Sequence, residues 1–294
     1  MKEKILKEYV TELELSGKSE YTIKSYLNSV SVFLSWLEDM SGEQFTGNLT
    51  SVEVRSYKSH IDSVQKMPLS TINSKLSAIQ SFCNFLNIQY GNTLIKVDKK
   101  KGAVSPRVDV LSRQELFRFL KYVDGNASLL HKLIVYTILN TGMRESEIVE
   151  VEASDIVNLW STKNTYIIVR NGKGGKYREI ALSGEYKVML REWFEYKQPE
   201  GSQKVFAGKN GTLTPNGVYK IVSRLGKRIG LKVYPHLLRH QFLTAISKKC
   251  ENLQDIKSLQ EIAGHSSIDT TLKYYVSSSA ESRKKLTSDI NYFS

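Results

Sequence analysis

The sequence predicts a mainly α-helical protein with one small antiparallel β-sheet, divided into a four-helix bundle over residues 1–96 and an α+β domain over 110–294. Three observations lead there. Four apolar stripes at helical spacing precede residue 90. The stretch Val97 to Asp109 (VDKKKGAVSPRVD) is Lys-rich, holds Gly and Pro, and reads as a linker. Beyond it, helical periodicity gives way once to alternation, around residues 165–182.

The bundle follows stripe by stripe. Ile5, Leu6, Tyr9, Val10 and Leu13 recur every three or four residues until Gly17 breaks the pattern. Ile23, Tyr26, Leu27, Val30, Phe33, Leu34 and Leu37 make a longer stripe. Met40 to Leu49 reads as a polar, Gly-containing connection. Thr50 and Glu53 have the spacing of a capping box, each side chain positioned to bond the other's backbone N–H, and Val54, Tyr57, Ile61 and Val64 follow. After Pro68, a fourth stripe runs through Ile72, Leu76, Ile79, Phe82, Phe85 and Leu86, ending the bundle near Tyr90. The aromatics read as core.

In the second part, Ser112 and Glu115 offer another capping box, opening a helix with Leu116, Phe119, Leu120 and Val123. Leu129 to Leu139 is apolar enough to be a buried helix, and it runs into Thr141-Gly142-Met143-Arg144-Glu145-Ser146-Glu147-Ile148. TYIIVR (165–170) and YREIAL (177–182) are β-rich runs around a glycine-rich turn that holds Lys173, so they form a hairpin, with Ile156 to Trp160 as a candidate third strand. Helices resume from Glu185. Thr214-Pro215 is an N-cap and first-turn pair for a helix to about Ile229, and helical patterns continue to about Leu286.

Composition bounds the function. The chain has 294 residues, 40% of them hydrophobic and 24% charged, with a formal charge of +12, which excludes collagenous, coiled-coil and wholly disordered classes. Cys83 and Cys250 are far apart, so neither a disulfide framework nor a structural zinc site is supported. With no signal-peptide core and no membrane-length apolar run, the expectation is a soluble, cytoplasmic protein. Residues 1–96 carry ten basic and ten acidic residues, so the whole basic excess lies in 97–294. A basic domain attracts polyanions, nucleic acid first among them.

Three pieces carry chemistry. Arg144 presents a fork of donors suited to phosphate oxygens, although alone it reads as a surface arginine paired with Glu147 at a helix start. In Pro235-His236-Leu237-Leu238-Arg239-His240, helical geometry puts 236, 239 and 240 on one face, so imidazole and guanidinium point the same way. That cluster suits a phosphate better than a metal, since Arg239 repels a cation. Ala263-Gly264-His265 is followed nine residues later by Tyr274, beside Tyr275.

The order Arg144, Lys173, His236-x-x-Arg239, His265, Tyr274 resembles the tyrosine recombinase (phage integrase) family, in particular its short Xer-like members. The matching text is TGMRESEI, NGKGGKYREIAL, PHLLRHQFLT and IAGHSSIDTTLKYY, with YTIKSYLNSVSVFLSWL and STINSKLSAIQSFCNFL similar to the family's helical core-binding (SAM-like) domain. The resemblance implies a site-specific recombinase that cuts and rejoins DNA through a 3′-phosphotyrosyl link, without cofactor, metal or ATP. It serves either integration and excision or dimer and cointegrate resolution. A non-catalytic DNA-binding regulator and a type IB topoisomerase-like enzyme are the alternatives.

By the same resemblance, Arg144 and Arg239 hold the scissile phosphate and Lys173 protonates the leaving 5′ oxygen. His236 and His265 assist proton transfer, Glu147 supports the site, and Tyr274 is the nucleophile. Many relatives read threonine-histidine after the nucleophile; here Tyr275 and Val276 stand there, so Tyr275 competes with Tyr274. The family's two domains clamp duplex DNA, which points to Lys99, Lys100 and Lys101 in the linker, and Lys24, Arg55, Lys58 and Lys75 in the bundle, as phosphate contacts. The expected assembly is a homotetramer, or a heterotetramer with a paralogue, on two DNA sites. Its anchors would be Leu286, Ile290, Tyr292 and Phe293 of the C-terminal tail.

Overall fold

A computed structural model describes residues 1–87, 110–172, 176–208, 211–264 and 271. The chain divides into two compact units, Met1–Val104 and Ser105–Ser294.

The first unit is the four-helix bundle. Helix α1 spans Lys2–Leu15 and α2 spans Glu20–Ser41. Helix α3 spans Ser51–Ser59 and runs on through a π-helical turn, His60–Val64; α4 spans Leu69–Phe85. Local chemistry sets the boundaries. The Ser19 side chain caps α2 through the Thr22 N–H, and Gly42 closes it in the left-handed region. Thr50 and Glu53 make the expected reciprocal capping box on α3. Tyr9, Val30, Phe33, Leu34, Tyr57, Ile61, Leu76, Ile79 and Phe82 fill the core. The 40–49 connection is less polar than its composition suggests. Phe45 and Leu49 are buried, and Glu38 of α2 accepts the Phe45 N–H at 3.0 Å, which folds the loop back over the bundle.

The second unit begins with α5 (Arg113–Asn126), capped by the Ser112–Glu115 box, and α6 (Leu129–Thr141), whose Leu133, Ile134, Val135 and Ile138 are fully buried. A single turn, α7 (Glu145–Ile148), follows Gly142-Met143-Arg144. The sheet runs β1 (Ile156–Val157), β2 (Tyr166–Gly172) and β3 (Lys176–Ala181), in that order and antiparallel. The first strand stops after two residues because Asn158 turns left-handed, at φ 59°. Alternation is clear across the β2–β3 pair. Ile167, Val169, Arg178 and Ile180 face inward, with Ile167 opposite Ile180 and Val169 opposite Arg178, while Tyr177 and Glu179 face out.

Helix α8 spans Gly184–Lys197. A two-residue hairpin that composition does not signal, β4 (Ala207–Gly208) with β5 (Gly211–Thr212), precedes α9. Helix α9 (Pro215–Lys227) is capped by Thr214 as expected; α10 (Pro235–Ser247) and α11 (Leu253–Ala263) complete the described chain. No helix among the described residues is long and apolar enough to cross a membrane.

Candidate active site

The site is built where three helix ends meet. Helix α6 stops at Gly142, which adopts φ 61° and donates its N–H to Ile138 O at 2.8 Å. A side chain at Gly142 would collide with the Phe242 ring of α10, its Cβ falling 2.4 Å from Cδ1. Glycine is therefore required twice here, for the turn and for the approach of α10. The chain then leaves α6 in an extended step and places Arg144 just ahead of α7.

Arg144 and Arg239 are brought to one place by the C-terminus of α11. Arg144 Nη2 donates to Gly264 O at 3.1 Å. Arg239, 1% exposed, donates Nη2 to Ala263 O and Nη1 to Gly142 O. A buried guanidinium needs partners for its charge. Arg239 finds them at the carbonyl ends of α6 and α11, where the helix dipoles are negative. Two cations from distant parts of the chain thus sit against consecutive carbonyls.

Glu147 ties this pair to the sheet. Its carboxylate is buried and accepts four bonds: the Arg144 N–H at 2.8 Å, Arg144 Nη1 at 2.9 Å, and a fork from Arg178 Nη1 and Nη2 at 3.1 and 2.7 Å. Burial pushes its pKa up, but the Arg178 fork and charge, then the backbone and charge of Arg144, prevail and hold it below the usual carboxylate value. Gly264 is again a matter of space. A Cβ there would lie 3.1 Å from Arg178 Nη1 and 3.3 Å from Arg144 Nη1.

His236 opens α10 beside Arg239, with part of its surface exposed, and its ring centroid lies 4.3 Å from that of His240. Packing around the ring and then the charge of Arg239 lower its pKa from the ordinary imidazole value, which favours the neutral ring, the form able to accept a proton.

Arg144, Glu147, His236 and Arg239 are therefore brought together. Lys173, His265, Tyr274 and the competing Tyr275 lie outside the described residues, as do Lys99, Lys100, Lys101 and the tail residues Leu286, Ile290, Tyr292 and Phe293. In the bundle, Arg55 and Lys58 lie three residues apart on α3, Lys75 is on α4, and Lys24 on α2 is tied to Glu20 at 2.5 Å, so its charge is locally balanced.

Two groups escaped the sequence reading. Arg178 is one. The other is a basic stripe: Lys220, Arg224 and Lys227 recur along the exposed side of α9, opposite the buried Val218, Val222 and Leu225, with Arg228 and Lys232 exposed just beyond. The stretch Thr214 to Tyr234 contains no acidic residue, and that is the signal that marks it.

Comparison with known proteins agrees with this layout. Residues 109–282 match the phage integrase family, and residues 5–88 match the phage integrase N-terminal SAM-like domain. Tyrosine recombinase XerA of Saccharolobus solfataricus is 29% identical over 272 residues, covering 90% of this chain and 86% of that protein. The TnP I resolvase of Bacillus thuringiensis is 25% identical over 279 residues, 92% of this chain and 94% of the resolvase. Among solved structures, the Tn1549 transposon integrase in complex with transposon right-end DNA shares the fold with a TM-score of 0.72, at 19% identity, over 96% of this chain and 99% of that one.

Proposed function

The chain belongs to the phage integrase family of tyrosine recombinases, DNA-breaking-and-rejoining enzymes, and from that premise we propose that it cuts its DNA site with Tyr274 at a phosphate held by Arg144 and Arg239. One observation carries the reading: two arginines 95 residues apart in sequence converge on the carbonyls of Ala263 and Gly264, immediately ahead of His265. A phosphodiester carries one negative charge and gains more in the transition state. Fixed guanidinium donors meet that charge without rearranging as it develops.

In the proposed reaction the Tyr274 hydroxyl oxygen attacks phosphorus and the P–O5′ bond breaks. Lys173 gives the leaving oxygen its proton, and the tyrosine proton passes to one imidazole of the His236 and His265 pair. A tyrosine hydroxyl ionises near pH 10 in water, so neighbouring cations assist it. The phosphotyrosyl link retains the energy of the cut bond, and the reverse attack by a 5′ hydroxyl rejoins the strand.

For DNA engagement the reading is that residues 1–96 and residues 110–294, joined by 97–109, each contact a specific duplex site. The α9 stripe and Lys99, Lys100 and Lys101 grip flanking phosphates, together with Arg55, Lys58 and Lys75. The assembly is a tetramer on two sites, anchored by Leu286, Ile290, Tyr292 and Phe293. Similarity to XerA and to a resolvase favours dimer or cointegrate resolution as the role. The test is a denaturing-gel assay on a nicked duplex carrying the core sequence that the chain selects from randomised DNA. Tyr274→Phe abolishes the covalent adduct while Tyr275→Phe retains it; the reverse pattern transfers the nucleophile to Tyr275.

A further inference from the structure

We propose that Arg178 is a positioning residue for Arg144, acting through Glu147 to keep Arg144 in place and its charge uncancelled toward the phosphate; this rests on the phosphate-binding reading of Arg144 given above.

Arg178 occupies an inward position of β3, between Lys176 and the buried Ile180, and its side chain is only 6% exposed. An inward-facing charge in a strand is expensive unless it is paired. Its partner is Glu147, 31 residues earlier and 2% exposed at the side chain, which takes a two-pronged fork from it. The same carboxylate holds Arg144 through both its backbone and its guanidinium.

The charge count decides what this arrangement does. Arg144 with Glu147 alone is a neutral pair, and a carboxylate 2.9 Å away would cancel much of the field that a phosphate feels from Arg144. With Arg178 present the trio carries a net +1, and the positive end left to act outward is Arg144, the more exposed of the two arginines at 22% against 6%.

Geometry follows the same path. The fork from Arg178 occupies both Glu147 oxygens, so the carboxylate cannot swing to clasp Arg144 alone. Arg144 is left free to reach Gly264 O with Nη2. Both guanidiniums also pack against the space over Gly264. Arg178 stands five residues after Lys173 on the strand that leaves the glycine-rich turn, so one side chain ties that hairpin to the Arg144 turn.

The experiment compares Arg178→Met, Arg178→Lys and the unaltered chain on the nicked duplex described above, with a phosphodiester or an uncharged methylphosphonate at the scissile position. Arg178→Met is expected to slow adduct formation by about 10- to 100-fold on the phosphodiester, the scale known for losing the outer partner of a metal ligand, while DNA retention is unchanged. Arg178→Lys restores much of the rate because it keeps the charge. On the methylphosphonate the Arg178→Met defect shrinks, since no charge remains there for Arg144 to meet.

A folded Arg178→Met protein reacting at the unaltered rate overturns the proposal, and so does an equal defect on both linkages, the mark of a merely structural role. If the unaltered chain forms no adduct on any duplex, the functional reading fails by itself. The positioning role is then decided by the crystal structure of Arg178→Met. Glu147 turned wholly onto Arg144, with the Arg144–Gly264 bond broken, supports it; an Arg144 in its present place overturns it.

Discussion

Replacing Gly142 with alanine tests how the fold builds the site. The residue sits at φ 61°, a conformation that costs a residue with a Cβ about 1–2 kcal/mol. The new methyl would also fall 2.4 Å from Phe242 Cδ1 and 2.8 Å from Cε1, well inside contact distance, and such overpacking costs about 1–3 kcal/mol. Together these predict a loss of about 2–5 kcal/mol, if the two strains are independent. Urea unfolding followed by tryptophan fluorescence, in which Trp160 and Trp193 report the second unit and Trp36 the first, reads it as a lower midpoint at unchanged slope for the second unit. Adding Phe242→Leu separates the parts, because the smaller side chain relieves the clash and leaves the φ cost. Any outward shift of this turn also displaces Gly142 O from Arg239, so cleavage falls further than the unfolded fraction explains. A Gly142→Ala protein within about 0.5 kcal/mol of the unaltered chain, the range of an ordinary surface change, refutes the reasoning.

Three further outcomes follow from the same geometry. Arg239→Lys offers one ammonium where two helix ends each receive a donor, so adduct formation drops by about 100-fold or more with DNA binding retained; a rate within tenfold counts against the assigned role. Glu147→Gln leaves Arg178 buried beside a neutral amide and costs about 3–5 kcal/mol. Because the folded pKa of Glu147 is depressed, its contribution is complete above the ordinary carboxylate pKa and fades as pH falls through the folded value. The unaltered chain therefore loses more stability than Glu147→Gln on acidification, and parallel stability–pH curves contradict this. Changing Lys220, Arg224 and Lys227 together to alanine lowers the slope of log K against log salt by about 0.9 for each phosphate no longer neutralised; an unchanged slope removes α9 from the DNA interface.

What could be read from residues alone was mostly local. The Thr50–Glu53 and Ser112–Glu115 boxes depend on spacings of three, and both formed as expected. The hairpin depends on period-two alternation around a glycine-rich turn, and its strands lie within a residue or two of the expected runs. Non-local partnerships were harder. The burial of Phe45 and Leu49 depends on the bundle beneath them, and the β4–β5 hairpin is too short to leave a periodic trace. Arg144, Glu147, His236 and Arg239 were legible because four motifs occur in one order. Their joint anchor on α11 was not, since it is made by backbone carbonyls that any sequence supplies.

Arg178 is the instructive miss. Within YREIAL it looks like one polar residue among several. Yet it shares its strand parity with Ile180, and an arginine on the inward face of a strand requires buried acceptors, a carboxylate or a set of carbonyls, elsewhere in the chain. Applied to the hairpin, that rule asks for a buried partner, which the fold supplies as Glu147.

In the proposed reaction one phosphate, held by Arg144 and Arg239, is transferred to Tyr274. Proteolysis and mass spectrometry of the covalent adduct formed on the nicked duplex test it most directly. The expected product is a single modified peptide carrying a 3′-phosphoryl nucleotide on Tyr274. Modification at Tyr275, a 5′-linked nucleotide, or no adduct on a duplex that the chain binds would contradict it.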